Sequence, residues 1–131
     1  MHVVNETAEA RPAILLVVED EMFIRMLVAD VLRDAGYEVI EAINGDEALD
    51  ILRAGVLVDL VLSDVRMPGS TDGLALLAFV RQNLVELPVI LTSGHLPPEI
   101  ALAEGAVSFL AKPYQLLDAL AVVEQEVSKF K

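Results

Sequence analysis

Five short apolar segments, each followed by a stretch with helical periodicity, are the feature that most constrains the fold of this chain. They occupy residues 13–18, 37–42, 57–64, 87–91 and 106–111. Short runs rich in Val, Leu and Ile are typical of strands buried in a parallel sheet, and helices are the crossovers that parallel strands need. The pattern predicts an α/β domain with a doubly wound sheet of five parallel strands and helices on both faces. Right-handed crossovers leave few topologies, and the flavodoxin-like strand order 2-1-3-4-5 is the main candidate among them.

The predicted helices lie between these segments and are bounded by turn residues. Three of them are predicted to end at glycine, a common helix stop. By helical spacing, Leu27 of the first helix and Leu117 of the last are predicted to face inward. The predicted helices start near Met22, Asn44, Asp72, Pro97 and Tyr114, and the glycine stops are Gly36, Gly55 and Gly105.

The length of 131 residues suits one compact domain, predicted over residues 13–131. Residues 1–12 lack the basic start and apolar core of a signal peptide. They are predicted to be a flexible leader. No apolar run approaches the roughly 20 residues of a membrane span. The chain contains no cysteine, which fits a reducing compartment. These features predict a cytoplasmic protein without membrane insertion.

The charge balance is strongly acidic. Twenty-one acidic and nine basic residues give a formal net charge of −12. Direct binding to nucleic acid is not expected, because that affinity depends on clustered Lys and Arg. The acidic excess has two explanations that composition does not separate: it keeps a hydrophobic domain in solution, or part of it forms a site that binds a cation.

Polar side chains follow four of the five predicted strands. Glu19 and Asp20 follow the first, Asp64 the third, Ser93 the fourth and Lys112 the fifth. Because the carboxyl ends of parallel strands lie along one edge of the sheet, these side chains are expected to converge there. Taken singly, Ser93 beside Gly94 also fits a turn, and Lys112 also fits the surface.

Such a group of residues supports a definite chemistry. Unit charges about 4 Å apart interact by roughly 4 kcal/mol at an effective dielectric constant near 20, so clustered carboxylates bind a proton or a divalent cation. Hard oxygen ligands select Mg²⁺, Mn²⁺ or Ca²⁺, and Mg²⁺ often couples carboxylates to a phosphate. A carboxylate can also attack phosphorus and form an aspartyl phosphate. Lys112 and Ser93 are then candidates to hold phosphoryl oxygens.

From about Ala13 to Val127 the chain resembles the CheY-like receiver domain of bacterial response regulators, the phosphorylation target of two-component signalling. The matching segments are 17–21, 63–68 with Asp72 and Gly73, 88–94, and Lys112 with Pro113. Their order and spacing along nearly the whole chain carry the resemblance.

The resemblance implies a role for each matching residue. Asp64 accepts the phosphoryl group from a phosphohistidine of a sensor histidine kinase or a histidine phosphotransfer protein. Mg²⁺, with Mn²⁺ as a substitute, is held by Glu19, Asp20, Asp64 and the backbone carbonyl of Arg66. The phosphoryl-binding and switch residues are Ser93, Lys112 and Phe109, and Thr92 is the alternative to Ser93 as the hydroxyl residue. Arg66 and His95 modulate dephosphorylation. The peptide bond between Lys112 and Pro113 is cis.

The implied protein is a switch rather than an enzyme, with at most slow self-catalysed phosphorylation and dephosphorylation. Phosphorylation changes a protein-interaction surface that a downstream target recognises. A single-domain protein is expected, as a monomer or a phosphorylation-dependent dimer. A receiver fragment of a longer transcriptional regulator is the alternative organisation.

Three other functions fit parts of the pattern. A Mg²⁺-dependent phosphohydrolase with an aspartyl nucleophile would carry a second Asp where Arg66 stands. A flavin-binding module would need a Ser-, Thr- or Gly-rich phosphate loop in place of 19–21. A degenerate receiver would serve only as a docking surface. Two departures from the family pattern are one extra residue between Pro68 and Asp72, and a segment 95–104 about one helical turn shorter than usual.

Overall fold

The computed structural model describes residues 11–130 as five strands that alternate with five helices. The strands are β1 (Ile14–Val18), β2 (Glu38–Ala42), β3 (Leu60–Asp64), β4 (Val89–Ser93) and β5 (Ser108–Ala111). The helices are α1 (Met22–Asp34), α2 (Gly45–Arg53), α3 (Gly73–Asn83), α4 (Pro98–Ala103) and α5 (Leu116–Val127), followed by a short 3-10 helix at Ser128–Phe130. Residues 1–10 of the predicted leader lie outside the described residues.

The strands form one parallel sheet in the order β2-β1-β3-β4-β5, which confirms the predicted fold. The register pairs Val18 with Ser63, and Asp64 with Thr92. Neighbouring strands therefore end almost level with one another. The residues at the carboxyl ends of β1, β3, β4 and β5, or directly after them, are brought to a single edge.

The core has two halves because alternate residues of each central strand point to opposite faces of the sheet. Leu16, Val61 and Leu91 pack on the side of α2, α3 and α4. Leu15, Leu62 and Ile90 pack on the side of α1 and α5. Both faces of β1, β3 and β4 are thus buried, as their uninterrupted apolar sequences require.

Strand ends differ from the predictions by a few residues. β3 begins at Leu60 rather than at residue 57. Just before the strand, the carboxylate of Asp59 accepts a hydrogen bond from the Ile14 backbone N–H at 2.8 Å and pairs with Arg11 at 2.9 Å. β4 extends to Ser93. β5 begins at Ser108 rather than at residue 106. The last helix begins at Leu116 rather than at Tyr114.

Two predicted core positions were wrong. Leu117 is 70% exposed, because the buried residues of α5, which include Ala119 and Val123, define a face about 200° away around the helix. Leu27 is also exposed, because the buried face of α1 centres on Val28 and Leu32. Both leucines lie near the carboxyl edge of the sheet.

The loop with the extra residue is fastened to α2. The carboxylate of Asp46 accepts hydrogen bonds from the backbone N–H and the hydroxyl of Ser70, at 3.2 and 2.9 Å. The loop then runs into α3, where the Asp72 side chain accepts a hydrogen bond from the Ala75 N–H at 2.8 Å and caps the helix as predicted. Segment 95–104 contains the six-residue α4, which is the short helix expected from the sequence.

None of the helices formed by residues 11–130 has the length and apolar character needed to cross a bilayer.

Candidate functional site

Three carboxylates meet at the carboxyl edge of the sheet. Glu19 and Asp20 follow β1, and Asp64 is the last residue of the central strand β3. One carboxylate oxygen from each lies within 4.8 Å of the others. Glu19 and Asp64 are buried, whereas Asp20 faces solvent. The convergence predicted from the strand ends is therefore present.

Lys112 joins two of these carboxylates from the end of β5. Its Nζ lies 2.8 Å from Glu19 Oε1 and 3.1 Å from Asp64 Oδ2. The peptide bond between Lys112 and Pro113 is cis, as the resemblance implied. The ammonium provides the positive charge that two buried carboxylates need.

Backbone groups fix the orientation of both buried carboxylates. The other oxygen of Asp64, Oδ1, accepts a hydrogen bond from the Val65 N–H at 2.9 Å. Glu19 Oε2 accepts one from the Glu21 N–H at 3.1 Å. Each side chain is held at one oxygen by the backbone and at the other by Lys112.

Burial is the largest influence on the pKa values of Glu19, Asp64 and Lys112. It raises the pKa of Asp64 and of Glu19 above their ordinary values, with Lys112 and the backbone donors acting in the opposite direction. Burial by itself lowers the pKa of Lys112, but the hydrogen bond and charge of Glu19 and the nearby Asp64 outweigh it and leave that pKa raised. The site thus retains a charged lysine, while the raised pKa values of Glu19 and Asp64 mean that these two acids hold protons more firmly than they would in water.

Ser93 lies at the same edge, and its side chain is hydrogen-bonded to the loop that follows. Its Oγ accepts hydrogen bonds from the backbone N–H groups of His95 and Leu96, both at 3.0 Å. Thr92, the alternative hydroxyl, is buried within β4 and is paired in register with Asp64. Of the two hydroxyl residues, Ser93 is the one that lines the pocket beside Asp64.

An open pocket of about 660 Å³ lies over this edge. Arg66 and His95 contribute to its lining and are both exposed. Phe109 lies away from the pocket, half-buried on β5, where it packs against the core on the side of α2, α3 and α4. Apolar walls come from Ile24, Leu27 and Leu116.

Two contacts of the site were missed from the sequence. Tyr114 lines the pocket, and burial together with the nearby Glu19 raises its pKa to about 12. Arg25 donates a hydrogen bond from Nη1 to the backbone carbonyl of Glu19 at 3.0 Å. The position of Tyr114 two residues after Lys112 is a signal that could have identified it. No periodic signal distinguishes Arg25 from the other polar positions of α1.

The donor set fits a hard divalent cation. Three carboxylates within reach of one another offer anionic oxygen ligands, and one of them, Asp20, is accessible from solvent. Mg²⁺ is typically bound through one or two carboxylates while it keeps several waters. The open pocket leaves room for those waters and for a phosphoryl group.

Without metal, the protein is expected to lose stability as the pH rises through the raised pKa of Asp64. The ordinary pKa is 3.8 and the folded-state pKa lies above it, so the folded chain binds this proton more tightly than the unfolded chain does. The stabilising contribution is complete below the ordinary value and is lost through the folded-state pKa. An Asp64→Asn variant lacks it.

Urea denaturation in EDTA between about pH 4 and 7 tests this expectation. The free energy of unfolding of Asp64→Asn, minus that of the wild type, should increase with pH across this window. A difference that is constant or decreases with pH would contradict the assignment of a buried, destabilised carboxylate at position 64.

The fold and the site together define a class of protein. A parallel sheet in the order 2-1-3-4-5 is the architecture of CheY-like domains, and in this chain clustered carboxylates and a lysine lie at its carboxyl edge. Residues 15–124 match the family described as response regulator receiver domain, and the chain belongs to that family. Receiver domains are phosphoacceptors that generally bind Mg²⁺ at an acidic pocket.

Individual relatives agree with this assignment. The DNA-binding transcriptional regulator NtrC of Escherichia coli (strain K12) is 38% identical over 121 residues, covering 90% of this chain and 25% of NtrC. The transcriptional regulatory protein PdtaR of Mycobacterium tuberculosis is 36% identical over 125 residues, covering 93% of this chain and 60% of PdtaR. The chain therefore spans about a quarter of the length of NtrC.

A solved structure shows the same similarity. The receiver domain of NtrX from Brucella abortus has a TM-score of 0.77 and 38% sequence identity to this chain. The match covers 85% of this chain and 95% of that domain. The chain is thus homologous to the receivers of NtrC and NtrX.

Proposed function

We propose that Asp64 is the phosphoacceptor of this receiver domain, and that it takes a phosphoryl group from the phosphohistidine of a sensor histidine kinase or a phosphotransfer protein. The observation that carries this proposal is the position of Lys112, whose ammonium lies within 3.1 Å of Asp64 inside a cluster of three carboxylates. A carboxylate that serves only structure has no need of two further acids beside it.

The chemical step is a displacement at phosphorus. A carboxylate oxygen of Asp64 forms the new O–P bond while the N–P bond of the donor histidine breaks. The electron pair of that bond returns to the imidazole ring, which takes a proton from solvent. Asp64 must be ionised to attack, so the charge of Lys112 favours the reactive form against the effect of burial.

A bound Mg²⁺ supplies charge neutralisation for the phosphoryl oxygens. Glu19, Asp20, Asp64 and the backbone carbonyl of Arg66 are the groups proposed to hold it, and Mn²⁺ suits the same oxygen donors. Lys112 is proposed to move from Glu19 and Asp64 onto a phosphoryl oxygen. Its flexible stem and three donors allow that change of partner.

Ser93 and Phe109 are proposed to transmit the phosphorylation of Asp64 to the surface around α4 and β5. Leu91 pairs with Phe109 across β4 and β5, and Ser93 lies two residues beyond Leu91, on the same face of the sheet. If Ser93 releases the His95 and Leu96 N–H groups to reach the phosphoryl group, the loop before α4 becomes free to move over Phe109. A downstream protein would then read the surface around α4 and β5.

An apolar surface beside the site supports docking of the phosphodonor. It consists of exposed side chains on the first two turns of α1, namely Met22, Phe23, Met26 and Leu27. They lie next to the acidic cluster because α1 begins at Met22, two residues after Asp20. The apolar face of a donor helix that packs there would place its histidine near Asp64.

Arg66 argues against a phosphohydrolase. The position two residues beyond the nucleophile would need a group that gives and takes a proton, and a guanidinium stays protonated in proteins. Arg66 and His95, both exposed at the pocket, are proposed instead to affect how fast water reaches the phosphorylated Asp64. We expect no steady turnover of a phosphomonoester.

Treatment with acetyl phosphate tests the proposal. Intact-mass spectrometry should show one added phosphoryl group in the presence of Mg²⁺ or Mn²⁺ and none in EDTA. Phosphate release from a phosphomonoester should stay at the buffer rate. No adduct with Mg²⁺ present, or sustained phosphate release, would contradict the assignment.

A further inference from the structure

The side chain of Arg25 connects the acidic loop to the edge strand of the sheet. Its Nη1 donates to the backbone carbonyl of Glu19 at 3.0 Å, and its Nε donates to Glu41 Oε1 on β2 at 3.1 Å. The side chain is only 13% exposed. Arg25 therefore spans three parts of the fold, α1, β2 and the loop between β1 and α1, from one guanidinium.

Hydrogen bonds hold the backbone of Glu19 at both its N–H and its C=O group. Its N–H donates to the Ala42 carbonyl at 3.1 Å, and its C=O accepts from Arg25. The N-cap residue of α1, Glu21, makes no side-chain capping hydrogen bond, so this contact is not supplemented by a standard cap. The direction of the backbone at Glu19 sets the directions in which Glu19 and Asp20 project toward Asp64.

We infer that Arg25 is a positioning residue for cation binding, which it supports by fixing the Glu19 peptide rather than by touching the ion. This inference rests on the proposed metal site. Groups that orient metal ligands without binding the ion commonly change metal affinity by about 10- to 100-fold when removed.

Charge and position predict opposite results at this residue. A positive charge near the acidic cluster repels a divalent cation, so loss of charge alone would strengthen cation binding. Loss of the hydrogen bond to Glu19 would weaken it. Arg25→Lys keeps the charge but lacks the planar fork that serves Glu19 and Glu41 together, so it isolates the positioning role.

Arg33 provides a matched control. Its Nη1 pairs with the other oxygen of the same Glu41 at 3.1 Å, but its second contact is the Val39 carbonyl rather than Glu19. It is 45% exposed. Arg33→Lys therefore perturbs the same acidic partner and the same pair of elements without touching the Glu19 peptide.

Mn²⁺ binding in the absence of any phosphodonor is the test, followed by electron paramagnetic resonance of the free ion. Arg25→Lys should bind Mn²⁺ about tenfold more weakly than the wild type. Arg33→Lys should stay within about twofold, as expected for an exposed pair. Thermal unfolding in EDTA establishes that each variant is folded. If Arg25→Lys is unfolded, Glu41→Asp replaces it. This variant keeps the negative charge but shortens the side chain that anchors Arg25, so it should also weaken binding by about tenfold.

The outcomes separate this inference from the proposed function. Wild-type affinity in Arg25→Lys, or in Glu41→Asp where that variant replaces it, overturns the positioning role and leaves the metal site intact. Equal weakening in Arg33→Lys also overturns it, because the contact with Glu19 would then be irrelevant. Failure of the wild type to bind Mn²⁺ overturns the metal site itself, and the inference with it.

Discussion

An Asp64→Asn variant is expected to take up no phosphoryl group from acetyl phosphate under conditions in which the wild type is phosphorylated. A neutral amide is not a nucleophile toward phosphorus at neutral pH, and it also removes one anionic cation ligand. The substitution nearly preserves shape, so the core around β3 should remain packed. Intact-mass spectrometry with Mg²⁺ present measures the result directly.

Two control variants sharpen this experiment. Asp50→Asn changes an exposed carboxylate on α2 and should be phosphorylated like the wild type. Asp20→Asn keeps the nucleophile and removes an exposed member of the acidic cluster, so phosphorylation should persist but require more Mg²⁺. An adduct of equal yield on Asp64→Asn would show that another group is modified, and the phosphoacceptor assignment would be wrong.

A Gly73→Ala variant is expected to be destabilised by about 3 kcal/mol, although alanine is the better helix former by about 1 kcal/mol. A Cβ at Gly73 would lie 2.7 Å from the Val65 Cα and closer still to the Asp64 carbonyl oxygen. These are backbone atoms at the end of the central strand. They cannot move aside without disturbing β3, so α3 must shift instead.

The same substitution is expected to disturb the position of Asp64. The Gly73 N–H donates a hydrogen bond to the Val65 carbonyl at 2.8 Å, so the start of α3 is hydrogen-bonded to the residue that follows Asp64. A shift of α3 should reduce the rate of phosphorylation by acetyl phosphate about tenfold, because a small displacement of a reacting group strongly slows its reaction.

Gly94→Ala is the matched control for stability. A Cβ at Gly94 would lie 3.7 Å from the Lys112 Cβ and carbonyl oxygen, which is an ordinary van der Waals distance. Its free energy of unfolding should stay within about 1 kcal/mol of the wild type. Urea denaturation in EDTA measures both variants. A Gly73→Ala variant as stable as the wild type would show that α3 does not press against β3 as described.

Much of this protein followed from its sequence. Uninterrupted apolar runs that alternate with helical segments are typical of a parallel sheet buried on both faces, so the shared carboxyl edge followed from the pattern. Right-handed crossovers reduced the possible strand orders to a few, of which 2-1-3-4-5 was the main candidate. The polar residues at the strand ends, among them Asp64 and Lys112, were therefore predictable as candidates from the sequence. The roles given to them remain a proposal that the phosphorylation experiments test.

The tertiary structure decided what periodicity does not encode. Leu27 and Leu117 fit an apolar helical pattern, yet both are exposed, because the packing of α1 and α5 fixes which side of each helix is buried. The bond from Arg25 to the Glu19 carbonyl and the place of Tyr114 in the pocket depend on contacts between separate elements. Side-chain spacing along a chain reports the face of one element, whereas such contacts depend on how several elements meet.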